Sequence, residues 1–326
     1  MQSFLRSLLR IFIAVATVLI AVVVGFGWVA RQPNVGQLPF PEGSRADGGV
    51  LAAHVRFLAS TEPPRSWSNA AGLERASEYI AGVFSKTHAQ CSRQHYQARA
   101  AHTNNLIAHF GPATGTLIVV GAHYDVFGNL PGADDNASGV AGLLELARLL
   151  DTRHLASPVE LVAYSTEEPP FFGGPDMGSA VHAASLVTAG VRVHAMITLE
   201  MIGYFSPSQP NRAFLLHLVY PHAGDFVAIV GRRSERQLVR SAKNCFRGAS
   251  DLPVVSYSGP AVIGTDLSDH RNYWAVGYPA FMVTDTAYLR NPNYHTANDL
   301  PSSLDYQRMA KVVDGVLSTV VHLAND

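Results

Sequence analysis

The sequence predicts an α/β domain with a mixed, mostly parallel central sheet and helices on both faces, preceded by one N-terminal transmembrane helix. Three observations predict this arrangement. Short apolar runs typical of buried strands lie at 105–110, 116–122, 159–165, 195–199 and 280–284. Helical spacing of apolar residues occurs at 50–58, 73–86, 139–150 and 304–323. Strands that alternate with helices form sheets covered on both faces, and a long uncharged run precedes them all.

Composition excludes several classes of protein. The 326 residues include 24 Lys and Arg against 25 Asp and Glu, so no strong field favours nucleic acid, and we expect none to bind. A hydrophobic fraction of 48% with 15% charged residues excludes a disordered chain. Two cysteines, Cys91 and Cys245, are too few for a disulfide framework or a thiolate zinc site. The sequence leaves open whether these two pair with each other or remain free. A metal would therefore be held by histidines and carboxylates.

The uncharged run at 11–30 lies between Arg10 and Arg31. A helix of that length spans about 30 Å, the thickness of the hydrocarbon core of a bilayer. The length favours an uncleaved anchor, with a signal peptide cleaved near Gly25-Phe26-Gly27 as the alternative. Arginines precede the run, so the positive-inside rule predicts that residues 1–10 are cytoplasmic and that the body lies outside, in a periplasmic or extracellular space.

The rest of the chain divides into a linker and one folded domain. Residues 31–47 are rich in Pro and Gly and lack periodicity, which predicts a stalk or a strap along the surface. Residues 48–326 form the domain. Its least regular part, at about 205–267, is a possible insertion beside the site, with a basic cluster at Arg232, Arg233 and Arg236.

Acids and histidines follow the predicted strands. His123 and Asp125 follow the strand at 116–122, and alternate residues share a face, so Asp125 can orient the His123 ring. A turn-rich loop at 132–139 then carries Asp134 and Asp135 and opens a helix. The carboxyl ends of parallel strands meet at one edge of a sheet, so these side chains are expected to lie together.

Three more positions complete the constellation. Glu167 and Glu168 follow the strand at 159–165 and point to different sides, so one can bind a metal while the other faces substrate. Glu200 ends the next strand, and His295 lies in a later loop. Two histidines and several carboxylates without a thiolate suit one or two zinc ions.

These motifs resemble metallopeptidase family 28, the dizinc aminopeptidases of the bacterial leucyl aminopeptidase and aminopeptidase Y type. The resemblance covers about residues 104–299. It depends on GAHYD at 121–125, GADDNASG at 132–139, EE at 167–168 and YHT at 294–296. It implies a zinc-exopeptidase-like fold, two Zn²⁺ ions, peptide substrates and hydrolysis of the N-terminal residue.

The resemblance also implies a role for each matching residue. The zinc ligands would be His123 on one ion, Glu168 and His295 on the other, and Asp135 bridging both, with Asp125 supporting His123 and Glu167 as general base. The family commonly has Asp before Met-Ile-Gly, whereas this chain has Glu200, which we expect to bind zinc in its place. Ser268-Asp269-His270 resembles a recurrent family motif, which we interpret as support near the cleft.

Two other functions stay open. A glutaminyl cyclase of the same fold would use a single zinc, and a membrane-anchored receptor or scaffold would have lost its ligands. The complete set of ligand residues favours hydrolysis. The sequence does not indicate the preferred N-terminal side chain, the oligomeric state, or whether carboxypeptidase or dipeptidase action replaces aminopeptidase action.

Overall fold

The computed structural model describes residues 2–33, 35–99, 101–210, 219–260 and 264–326, so 211–218 and 261–263 of the predicted insertion lie outside the described residues. Within these ranges one sheet has eight strands in the order β1-β2-β4-β3-β5-β8-β6-β7. The strands are β1 (Gln90–Ala98), β2 (Ala101–Phe110), β3 (Leu117–His123), β4 (Val159–Tyr164), β5 (Val193–Glu200), β6 (Val227–Arg232), β7 (Val254–Gly259) and β8 (Ala280–Thr284). The helices are α1 (Gln2–Arg31), α2 (Gly48–Ala59), α3 (Ala70–Phe84), α4 (Gly139–Leu150), α5 (Gly178–Thr188), α6 (Arg236–Ala249), α7 (His270–Ala275) and α8 (Tyr306–Asn325).

The strand directions confirm the predicted mixed, mostly parallel sheet. β4, β3, β5 and β8 run parallel at its centre. β2 joins β4 and β6 joins β8 in antiparallel fashion. The edge strand β1 was not predicted, because most of its side chains are exposed or half-buried and its sequence therefore lacks an apolar run.

Alternate residues of β3 pack against helices on opposite faces of the sheet, which confirms the predicted layers. Ile118 and Val120 belong to the larger core, which includes apolar residues of α2, α4 and α8. Leu117 and Val119 face a second cluster with residues of α5 and α7. This double burial explains why the central strands are continuous apolar runs. Because β3, β4 and β5 run parallel, their carboxyl ends lie at one edge of the sheet.

The N-terminal helix extends away from this body. Residues Phe4–Arg31 are long and apolar enough to cross a membrane, and the most apolar part is not buried in the body. Length and composition fit a membrane anchor and a signal sequence alike.

The segment predicted as a linker lies along α6 and α8 as a strap, defined here as residues 35–47. The Leu38 amide donates to the carbonyl of Asn244 at 3.0 Å, and Arg247 donates to the carbonyl of Val35 at 2.6 Å. At the far end the Ala46 amide donates to Asp314 at 2.9 Å. These hydrogen bonds from the body to the backbone of the strap fix the segment in place.

The region predicted as a possible insertion contains β6, α6 and β7, which extend the sheet beyond β8. The predicted basic cluster lies where β6 ends and α6 begins. Both cysteines are free: Cys91 is exposed on β1 and Cys245 is buried in α6.

Candidate metal centre

The five predicted metal ligands lie together at the carboxyl edge of the sheet. They form two groups that share one residue, and in each group one ligand atom from every residue lies within 4.8 Å of the others. The groups are His123 with Asp135 and Glu200, and Asp135 with Glu168 and His295.

The two carboxylate oxygens of Asp135 face different groups. Oδ1 lies 3.4 Å from Nε2 of His123, which is also 3.5 Å from Oε2 of Glu200. Oδ2 lies 3.0 Å from Nε2 of His295, which is 3.3 Å from Oε1 of Glu168. Asp135 therefore stands between two sets of donor atoms, as a bridging ligand must.

These groups fit a metal because their donor atoms converge and two of those atoms have no hydrogen-bond partner within the described part of the chain. Oε1 of Glu168 and Nε2 of His295 are buried and lack hydrogen-bond partners among the described residues. Buried polar atoms are normally paired, so unpaired ones aimed at a common point require an explanation such as a cation. Imidazole and carboxylate donors without a thiolate suit zinc.

The electrostatics of the site also require positive charge. Burial and the neighbouring Asp135 raise the pKa of Glu168 to about 7. Burial opposes a charged His295, but the nearby carboxylates of Asp135 and Glu168 raise its pKa to about 9. Burial likewise opposes a charged His123, and Glu167 and Glu200 raise its pKa well above 6.5. Without a metal, the excess of buried carboxylates holds protons on the histidines; a divalent cation would replace those protons.

Asp125 positions both His123 and the glutamate pair. Its Oδ1 lies 3.2 Å from Nδ1 of His123, which leaves Nε2 to face the metal groups. The same oxygen accepts the amide of Glu167 at 3.1 Å, and Oδ2 accepts the amide of Glu168 at 3.0 Å. One buried carboxylate thus fixes the ring and the loop that follows β4.

Glu167 stands beside the metal groups and belongs to neither. Its Oε2 is 4.0 Å from Nε2 of His123, and the side chain is buried. Burial raises the pKa of Glu167 well above its usual value despite the opposing effect of His123. A buried carboxylate with a raised pKa at the edge of a site is suited to accept and return a proton.

Backbone strain accompanies these side chains. Thr166, Met201 and His295 all have left-handed φ values, of 58°, 50° and 54°. Such values are uncommon for residues other than glycine. Thr166 directly precedes Glu167, Met201 directly follows Glu200, and His295 is itself in the site. Strained residues persist where surrounding contacts fix them, and they are concentrated at functional sites.

Two residues that sequence reasoning gave no role hold the loop of Asp135. Asp299 accepts the amides of Asp134 and Asp135 at 2.9 and 3.0 Å. The buried guanidinium of Arg65 donates to the carbonyls of Pro131 and Gly132 at 2.7 and 2.5 Å. Asp299 lies four residues after His295, close to a predicted ligand. No local pattern in the sequence links Arg65 to the loop of Asp135.

Asp134 faces away from both metal groups. Its Oδ1 accepts the amide of Gly203 at 3.1 Å, and Oδ2 accepts Nδ2 of Asn291 at 2.8 Å. It therefore joins the loop after β5 to the loop that carries His295.

The predicted supporting motif at 268–270 contacts the site through its first residue. Oγ of Ser268 donates to Oε2 of Glu200 at 2.7 Å. His270 binds the carbonyl of Thr265 through Nε2 at 2.8 Å and is not among the metal groups.

A mostly apolar cavity of ≈ 240 Å³ adjoins the metal groups. Glu200 and Tyr294 line it on the side of the metal centre. The opposite walls come from β6, β7, β8 and the segments beside them, and include Phe226, Val255, Tyr257, Met282 and Leu289. Such a cavity suits an apolar group placed next to the reacting atoms.

An α/β sheet with paired imidazole and carboxylate groups at its carboxyl edge, next to an apolar cavity, is an arrangement suited to a metal-dependent enzyme. Residues 105–320 match the family model described as Peptidase family M28, and the chain belongs to this family of metallopeptidases. This confirms the resemblance found in the sequence.

Two relatives differ in how closely they match. YfbL of Escherichia coli, described as an uncharacterized protein, is 45% identical over 303 residues, which cover 89% of this chain and 91% of that protein. Leucine aminopeptidase 1 of Grosmannia clavigera is 27% identical over 235 residues, which cover 68% of this chain and 53% of that protein.

Solved structures share the fold at lower identity. LapB from Legionella pneumophila superposes with a TM-score of 0.71 at 22% identity, over 90% of this chain and 79% of that chain. Glutaminyl cyclase from Tannerella forsythia superposes with a TM-score of 0.64 at 20% identity, over 85% of this chain and 99% of that chain.

Proposed function

We propose that this chain is a dizinc aminopeptidase that removes apolar residues from the N-terminus of peptides. The observation that carries the proposal is the division of the donor atoms into two groups on the two oxygens of Asp135. His123 and Glu200 would hold one zinc, Glu168 and His295 the other, and Asp135 both. When bound, zinc supplies Lewis acidity: it lowers the pKa of water toward neutrality and polarises a carbonyl group.

Glu167 is the proposed general base. In hydrolysis the attacking water adds to the scissile carbonyl carbon while its proton passes to the Glu167 carboxylate. Glu167 then returns that proton to the leaving amine as the C–N bond breaks. The amide of Glu167 is held by Asp125, which also holds His123, so the base keeps a fixed position relative to the metal groups.

The apolar cavity supports the choice of substrate. A peptide whose first side chain enters the cavity beside Glu200 would bring its free amino group to the buried carboxylates of the site. A charged amine is stabilised there, whereas a blocked N-terminus lacks that interaction. The likeness to the leucine aminopeptidase of Grosmannia clavigera supports the same class of substrate.

The second candidate is a single-zinc glutaminyl cyclase, which the Tannerella forsythia structure supports at the level of fold. His123 and Glu200 form a second group of ligand atoms with Asp135. This favours an enzyme with two metal ions, because an enzyme with one ion needs only one such group. A purely binding role is disfavoured by the complete set of ligands and the buried base.

We further propose that residues 11–30 anchor the protein and that the domain at 48–326 works outside the cytoplasm. Cleavage near Gly25-Phe26-Gly27, with removal of the segment as a signal sequence, is the alternative. The mass of the protein isolated from membranes distinguishes the two.

Metal analysis and a substrate panel test the enzymatic proposal together. Full-length protein in detergent, stripped by chelation and reloaded, should approach two zinc per chain and hydrolyse leucyl-p-nitroanilide but not its N-acetyl derivative. One zinc per chain with release of pyroglutamyl product from glutaminyl peptides would instead indicate the cyclase.

A further inference from the structure

The last turn of α1 is built into the body of the protein. Phe26 and Trp28 are about half exposed, at 47% and 50%, whereas Ala30 and Gln32 are almost fully buried. Nε2 of Gln32 donates to Oγ of Ser258 at 2.7 Å and to the carbonyl of Arg236 at 2.9 Å. The apolar helix therefore passes directly into the folded body, without a flexible spacer.

A buried ammonium group completes this junction. Nζ of Lys243 donates to the carbonyls of Arg31 and Gln32 at 2.8 and 2.9 Å and to Oγ of Ser256 at 3.2 Å. Cations that bind the last carbonyls of a helix stabilise its C-terminal end. The end of α1 is thus held by β7 and α6 together, and we call these contacts the anchor junction.

The anchor junction shares residues with the wall of the apolar cavity. Ser256 lines the cavity, and its Oγ also donates to the carbonyl of Arg31 at 2.7 Å. Tyr220, another lining residue, donates to the carbonyl of Ser256 at 3.2 Å. One layer of residues therefore separates the exit of α1 from the cavity that adjoins Glu200.

The surface beside the junction is strongly basic. Residues 232–247 contain five arginines and one lysine against one glutamate, and that glutamate, Glu235, is buried and paired with Arg232 at 2.8 Å. Arg233, Arg236 and Arg240 are exposed, and we call these three the arginine face. The first acidic residue of the chain is Glu42, so the whole of α1 lacks negative charge. Basic clusters next to a membrane helix attract anionic headgroups.

We propose that the arginine face and the anchor junction seat the body directly on an anionic bilayer, so that the cavity receives the N-terminal residue of peptides held at the bilayer surface. The proposal rests on the proposed aminopeptidase function. The partner is the headgroup layer itself: the apolar helix enters the hydrocarbon, and the arginines beside its exit meet phosphate oxygens. Substrates that partition into the interface then reach the cavity by lateral diffusion.

Turnover in vesicles tests the proposal. Full-length protein is reconstituted into phosphatidylcholine vesicles with or without 25% phosphatidylglycerol. It is assayed with soluble leucyl-p-nitroanilide and with a leucyl peptide that carries a C-terminal palmitoyl chain. The triple variant Arg233→Gln, Arg236→Gln, Arg240→Gln should lose about 10-fold in kcat/KM for the palmitoyl peptide in the anionic vesicles and keep its rate on the anilide. The matched control Arg56→Gln, Arg75→Gln, Arg192→Gln removes three exposed charges from other elements and should change neither rate.

Equal losses in the two triple variants, or no loss in either, would overturn the proposal. Failure of the wild type to hydrolyse the soluble anilide would instead refute the aminopeptidase function itself, so the two failures are distinguishable.

A second measurement does not depend on turnover. In a Cys91→Ser background, a fluorophore attached through Ser234→Cys should be quenched by nitroxide-labelled headgroups. The same fluorophore attached through Thr188→Cys should not, since α5 lies on the opposite face of the sheet from α6. Equal quenching at both positions, or quenching at neither, contradicts the proposed seating.

Discussion

The imidazole of His295 lies flat against the phenyl ring of Phe127, with ring centroids 4.1 Å apart and planes within 2° of parallel. Tyr294 stacks on the same imidazole at 3.8 Å. His295 belongs to an irregular loop and has a left-handed φ, so its backbone alone would not determine the plane of the ring. The aromatic contacts hold Nε2 toward Asp135 and Glu168.

Phe127→Leu should therefore weaken the metal group of Glu168 and His295. We expect about a 10-fold loss of affinity for one zinc, because ligands that are not held in place lose affinity by roughly 10- to 100-fold. Chelator competition measures this loss, and Phe171→Leu, which removes a ring that packs against Trp67, is the control. Unchanged affinity in both variants would show that the loop backbone is sufficient.

Asp135→Asn should remove both metals, since the amide keeps the shape of the carboxylate but loses its charge toward both groups. His123→Gln should mainly remove the zinc it shares with Glu200. Zinc per chain after dialysis against a weak chelator distinguishes the two variants. Retention of one tightly held zinc by Asp135→Asn would argue against a bridging role.

Glu167→Gln should lower kcat by about 100-fold or more, since an amide keeps the hydrogen-bonding shape but cannot accept the proton of the attacking water. Zinc content should stay near the wild-type value. Glu168→Gln is the matched change at the adjacent residue and should lose zinc first, because its Oε1 faces His295. If Glu167→Gln also loses zinc, Glu167 belongs among the ligands.

Glu200→Ala should remove one zinc, whereas Ser268→Ala should only weaken it, since Ser268 holds Oε2 of Glu200 at 2.7 Å without itself facing the metal. Glu200→Asp shortens the side chain by one methylene. We expect it to bind zinc less well than the wild type, because the backbone position here suits the longer side chain. If Glu200→Ala keeps both zinc ions and full activity, Glu200 is not a ligand and only lines the cavity.

Glu160→Gln should make the free energy of unfolding less dependent on pH in the acidic range. Burial alone would raise the pKa of Glu160, but His109 and His182, each 3.4 Å away, lower it from 4.5 to about 2. A lowered carboxylate pKa contributes stability above pH 4.5 and loses it as the pH falls toward 2. Thermal unfolding should therefore show that the variant is less stable than the wild type by ~1 to 3 kcal/mol near pH 5. This difference should become smaller below pH 3. Glu78→Gln, at an exposed pair with Arg93, should have little effect at any pH.

Sequence predicted the centre of the sheet and the residues that come together at its carboxyl edge, because both depend on local patterns. The strand before His123 is a continuous apolar run, and the acids follow such runs directly. The supporting contacts were not predictable, because they join distant segments. Arg65 reaches the carbonyl of Gly132, and Phe127 reaches the ring of His295, only through the completed fold. The anchor junction was not predicted for the same reason. In the sequence, Lys243 cannot be distinguished from an exposed lysine of an amphipathic helix, because its partners at Arg31 and Gln32 are more than 200 residues away.

The strap has a consequence for the order in which the protein is completed. Arg45 pairs with Asp314 at 2.9 Å across 269 residues of chain, and Asp314 lies on the last helix. During synthesis the N-terminal helix emerges first, yet Arg45 and Ala46 at the end of the strap cannot bind Asp314 until α8 has been made. A chain halted before α8 therefore lacks the contacts that hold this end of the strap, although its contacts with α6 can already form. The ion pair between Arg45 and Asp314 can form only in a chain that includes α8.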